Sequence, residues 1–123
     1  MIRSAKYVML LWSAVLLVAI CFYPQVSLAN PPQEVKVEYD ANSQTLAVSI
    51  THKSFFPGFH YIKTVEIKKD GKVVSTNTYE NQPAQDTFTY KYKVLAAEGE
   101  TLEVTAACSM YGSKTVNLMI PKK

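Results

Sequence analysis

His52 and His60 are the only histidines in this 123-residue chain, and Cys108 is the only cysteine beyond residue 21. Two imidazole nitrogens and a thiolate form a donor set that suits iron, copper or zinc better than oxygen-loving ions. A lone thiol in an exported protein calls for a metal, a reactive role or simple burial, because such proteins usually pair their cysteines or lack them. Cys108 is in phase with Leu102, Val104 and Ala106, so its side chain is expected to point inward, as a small hydrophobe would. It also ends its strand, at the lip of a turn containing Met110 and Tyr111. A tyrosinate there could bind ferric iron and a thioether could bind copper, though such residues more often pack or cap a loop. His52 and His60 border one irregular loop; the ordinary fate of a loop histidine is solvent exposure. The chain has no local serine–histidine–acid signature, no phosphate-cradling glycine loop and no HExxH helix. Glu38 and Glu66 fall on solvent-facing strand positions and do not read as an acid/base pair.

The N-terminus reads as an export signal. Arg3 and Lys6 form a basic start, Tyr7 to Phe22 is an uncharged apolar run, Pro24 breaks it, and Ser27-Leu28-Ala29 offers small residues for cleavage after Ala29. The apolar run is shorter than the roughly 20 residues of a comfortable membrane span, although retention as an anchor is an alternative. Lipoprotein processing at Cys21 is disfavoured by the bulk of Ile20 before it. Residues 30–123 then form one domain of the usual size. Two of the 13 basic residues lie in the leader, so the domain carries 11 against 10 acidic residues. That balance gives no field for nucleic acid, and no membrane contact is expected after cleavage. The expected compartment is periplasmic or extracellular.

The elements that must position the three donors are strands. Val35, Val37 and Tyr39 alternate with Glu34, Lys36 and Glu38; Leu46, Val48 and Ile50 alternate after the turn Asp40-Ala41-Asn42-Ser43. A third strand is expected from His60, with a parity shift between Ile62 and Val65 that suggests a bulge. Asp70-Gly71 marks a tight hairpin and Lys72 to Tyr79 returns. Phe88, Tyr90, Tyr92 and Val94 share a face, as do Leu102, Val104 and Ala106; Val116, Leu118 and Ile120 close the pattern. Seven short strands with turns between them predict an all-β, immunoglobulin-like antiparallel β-sandwich. Pairing of the second and third strands would bring both histidines to one end, where the Cys108 turn could join them.

The string His60-Tyr61-Ile62-Lys63-Thr64-Val65-Glu66-Ile67, followed by an Asp-Gly turn, resembles a strand of the superoxide reductase (desulfoferrodoxin, neelaredoxin) iron domain. Ala107-Cys108-Ser109-Met110-Tyr111-Gly112 resembles that family's Tyr-Cys-Asn-x-His-Gly turn, and His52 stands where the family has its His-Pro-Met histidine. The resemblance spans roughly Val48 to Leu118. It implies an immunoglobulin-like sandwich holding a mononuclear iron, with His52 and His60 as equatorial ligands, Cys108 as the axial thiolate and an electron donor as partner. If the chain is an enzyme, the implied type is an oxidoreductase that reduces superoxide to hydrogen peroxide. Tyr111 replaces the family's turn histidine, and Gln33 to Ser49 contains no histidine to match the family's first ligand or the lysine beside it. Three of the family's five ligands thus have counterparts here, which implies a weaker or altered site.

A second resemblance points to another class of function. The His60 strand, Phe88-Thr89-Tyr90-Lys91-Tyr92 and Gly99-Glu100-Thr101-Leu102 are similar to the immunoglobulin-like subunit of the thiosulfate-oxidation carrier complex. That likeness implies a non-catalytic periplasmic module that works by binding a protein partner. A cupredoxin-like carrier fits less well: no histidine follows Cys108 at loop spacing, and Met110 is too close behind it for the usual axial ligand.

Overall fold

A computed structural model describes residues 6–14 and 31–122. Residues 6–14 form a short helix inside the expected leader; the remaining leader residues, Cys21 and the expected cleavage site among them, lie outside the described residues. Among those described, no helix is long and apolar enough to cross a membrane.

Seven strands follow in order: β1 (Glu34–Asp40), β2 (Thr45–Thr51), β3 (Ile62–Lys69), β4 (Lys72–Thr78), β5 (Thr87–Lys93), β6 (Thr101–Cys108) and β7 (Ser113–Met119). They form two antiparallel sheets, β1-β2-β5 and β4-β3-β6-β7. This is the expected all-β sandwich, with the immunoglobulin-like exchange of consecutive strands between sheets. Alternation drives it: β2 and β6 each bury every second residue, because successive side chains of a strand leave opposite faces. Leu46, Val48 and Ile50 from one sheet meet Ile62, Val65, Ile67, Leu102, Val104 and Ala106 from the other in one dry core. No disulfide joins β2 to β6, so apolar burial carries the fold, at about 25 cal/mol per Å² removed from water.

The expected bulge is present, as a register shift between Ile62 and Thr64. Asp70 and Gly71 both adopt positive φ, 47° and 81°, as a type I′ turn requires. The structure corrects three details. β3 begins at Ile62, two residues after His60, which belongs to the loop. Cys108 is half-buried rather than fully inside, because β6 ends there and the turn opens beside it. β2 and β3 do not pair but lie in different sheets; their ends still meet, because the sandwich stacks one sheet on the other.

Candidate metal centre

His52 follows directly after β2, and its backbone continues that strand's pairing with the segment before β5. His52 N–H donates to Asp86 O and Ser54 N–H to Gln85 O, each at 2.8 Å. The loop then turns tightly, with Phe59 N–H and His60 N–H both donating to Phe56 O. The Ser54 hydroxyl donates to His60 O across the loop. On the other sheet, Ile62 stands opposite Cys108. Ser109 fastens the approach to β3: its N–H donates to Tyr61 O at 2.8 Å and its hydroxyl accepts from Tyr61 N–H at 3.1 Å. The Cys108 turn closes with Cys108 N–H on Gly112 O at 2.9 Å, and Met110 N–H points at the Cys108 sulfur at 3.4 Å. Gly112 has φ 95°, and a Cβ there would lie 2.9 Å from Pro31 N, so only glycine lets the turn pack on the incoming chain.

These segments bring His52, His60 and Cys108 together, with one ligand atom from each lying within 4.8 Å of the other two. Donors at about 2.0–2.3 Å from a common ion fall within such a span, so the group could hold a metal ion. The rings of His52 and His60 meet edge to face, centroids 4.6 Å apart. His52 is only 1% exposed. His60 is half-buried, yet its Nε2 is shielded and has no hydrogen-bond partner among the described residues. Burial first, and the nearby His52 second, hold His60 below the ordinary imidazole pKa, which keeps it neutral and able to offer a lone pair.

Gln82, in the β4–β5 connection, is the residue that sequence reading did not single out. It is 4% exposed. Its Oε1 lies 2.8 Å from His52 Nδ1 and 3.2 Å from Ile62 N; its Nε2 lies 2.8 Å from both His52 O and Ala84 O. No signal separates Gln82 from the other polar residues of its connection, Asn81 and Gln85; only the fold buries it. Tyr111 and Met110, the other residues weighed as ligands, are exposed on the turn, Tyr111 at 66%. Around them Phe55, Phe56 and Phe59 are also exposed, at 70–78%, giving this end an aromatic rim.

No protein-family model matches the chain, and no curated protein matches it in sequence.

Proposed function

We propose that the chain is an exported metal-binding domain whose centre is His52, His60 and Cys108, with iron the metal and redox chemistry of the superoxide-reductase type the related activity. One observation carries the reading: the only two histidines and the only thiol of the sandwich, from three separate segments, converge within 4.8 Å. Iron itself rests on the resemblance; the nitrogen and sulfur donors suit copper or zinc as well. When bound, an iron ion here would supply one-electron chemistry. The chain's own residues contribute the rest: Gln82 and Ser54 orient the histidine segments, and the half-buried lip leaves access from solvent. With three protein donors against the family's five, full superoxide-reductase competence is not part of the proposal.

Metal content tests it. The protein, purified without chelators or reconstituted anaerobically with ferrous iron, is measured by mass spectrometry beside His60→Ala and Cys108→Ala. Near-stoichiometric iron in the parent, absent from both folded variants, is the expected result. A metal-free parent after reconstitution sinks the reading.

The aromatic rim supports a second reading, the partner-binding module. Three large apolar side chains on one loop tip are unusual for a surface that meets only water. On this reading, replacing Phe55 and Phe56 with serine abolishes partner capture, while Cys108→Ala leaves it intact.

A further inference from the structure

We infer that Gln82 is a positioning residue: its side-chain amide fixes His52 as the Nδ1–H tautomer and so leaves the ring's lone pair on Nε2, the nitrogen His52 would bring to a metal held with His60 and Cys108. Its consequence for metal rests on the proposed function; the tautomer is a property of the metal-free chain.

The amide has one orientation that works. Its Nε2 lies 2.8 Å from two carbonyl oxygens, His52 O and Ala84 O. Carbonyls only accept, so the group facing them is the NH2, and both of its hydrogens are used. Oε1 is therefore the atom that faces Ile62 N–H and His52 Nδ1. An amide oxygen carries no hydrogen, so the short contact to Nδ1 is a hydrogen bond only if Nδ1 is protonated. Exchanging the amide's two ends would set an oxygen against two carbonyls and an NH2 against the Ile62 N–H. With Gln82 and His52 both almost wholly buried, water cannot repair those mismatches, each of which carries a desolvation penalty.

A neutral imidazole protonated at Nδ1 keeps its lone pair at Nε2, and the hydrogen bond at one ring nitrogen decides the role of the other. Histidines that bind metals usually donate their second N–H to an oxygen in this way, which fixes the ring and its basicity. Gln82 also reaches the start of β3 through Ile62. One side chain thereby ties the end of one sheet to the end of the other at the point where the donors meet. Its acceptor is a neutral amide, so the thiolate of Cys108 would be the only anionic donor of the set.

The test uses the full chain, first without metal. Two-bond nitrogen–proton spectra assign the protonated nitrogen of His52; pyrrole-type Nδ1 and pyridine-type Nε2 are expected. Gln82→Met should lose that preference and weaken binding of cobalt(II) alone, used as a spectroscopic probe, by roughly 10- to 100-fold. Gln82→Glu keeps an oxygen against Nδ1 and loses both donated bonds to His52 O and Ala84 O, so it should lower stability as Gln82→Met does yet retain the tautomer and bind cobalt(II) more tightly than Gln82→Met, a split that a purely structural role would not predict. A protonated Nε2 in the parent, or unchanged cobalt(II) affinity in a folded Gln82→Met, overturns the inference. If both variants fail to fold, the spectrum of the parent decides alone. An Nδ1–H parent that binds no cobalt(II) overturns the proposed function and the positioning role with it, while the tautomer assignment stands.

Discussion

The two ends of this sandwich solve the same problem with different chemistry. At the far end, where Asp40, Gln44, the Asp70-Gly71 hairpin and the β5–β6 connection gather, loops are pinned by backbone bonds, one phenol and more exposed charged side chains, among them Asp70 Oδ1, which accepts from Thr101 N–H at 2.9 Å, and Lys69 Nζ, which donates to Leu95 O at 2.9 Å. Tyr39 donates its hydroxyl to Val94 O at 2.7 Å and accepts from Ala96 N–H at 3.2 Å. At the donor end, the three buried polar residues of the described chain, His52, Ser54 and Gln82, do the pinning. Among the described residues, each end also holds one shielded side-chain atom without a hydrogen bond, Glu100 Oε2 and His60 Nε2. Glu100 Oε2 is compensated, since the Lys69 ammonium lies 3.4 Å away. His60 Nε2 has no such counter-charge, and its ring stands beside the His52 ring and within the group that includes Cys108. Buried polar atoms are nearly always satisfied, so the contrast teaches where the fold tolerates a cost: at the end where a metal ion would remove it.

Substituting Gly112 should show the largest effect that separates the ends. Alanine there keeps a left-handed backbone at about 1–2 kcal/mol and drives a Cβ into Pro31 backbone, adding roughly another 1–2 kcal/mol by overpacking. Gly112→Ala should therefore lower unfolding free energy by roughly 2–4 kcal/mol in urea titrations and, by shifting the Cys108 turn, weaken metal binding as well. Unchanged metal affinity with that stability loss would mean the turn does not position Cys108.

Tyr39→Phe is the matching change at the far end and a smaller one. It leaves Val94 O and Ala96 N–H without their partner, which costs about 1–2 kcal/mol for half-buried groups. Metal affinity should stay at the parent value, because β1 and β2 span the distance between the ends. A parallel fall in affinity would show that the ends are coupled and that the donor cluster is set by global rather than local packing.

The middle of the molecule was legible because period-two alternation is a local pattern with one physical meaning; Leu46-Val48-Ile50 and Leu102-Val104-Ala106 could face nowhere but inward. The Asp70-Gly71 turn and the Ile62 bulge were legible for the same reason, being backbone demands met by nearby residues. Convergence of His52, His60 and Cys108 was anticipated, but by a strand pairing that does not occur. Sheet stacking produces it instead, and stacking depends on which strands cross between sheets, which no local spacing reports. Gln82 was invisible altogether. Its role comes from burial and from contacts with His52 and Ile62, 30 and 20 residues away in the chain, whereas its own neighbourhood reads as an ordinary polar connection.

Acid is the gentlest way to test the contrast, because the two ends should lose stability in separate pH windows. His60 in the metal-free fold titrates below its ordinary value of 6.5, chiefly through burial. Above that value both folded and unfolded chains carry a neutral ring and nothing changes. Below it the unfolded chain takes up a proton that the folded chain refuses, so stability falls with pH until the folded pKa is passed. Asp40, at the far end, has the opposite sign of charge and a different cause. Its hydrogen bonds, first from the Ser43 hydroxyl and then from the Asn42 and Ser43 backbones, hold it below its ordinary 3.8. Its contribution is present above that value and is lost only as pH falls through the depressed folded pKa. Urea titrations of the metal-free protein from pH 8 to 3 should therefore show a first small decline beginning near 6.5. A second should follow below 3.8. His60→Ala should remove the first decline and leave the second; Asp40→Asn should do the reverse. A first decline that survives His60→Ala would place the acid sensitivity elsewhere and remove the shielded imidazole as the feature that sets the donor end apart.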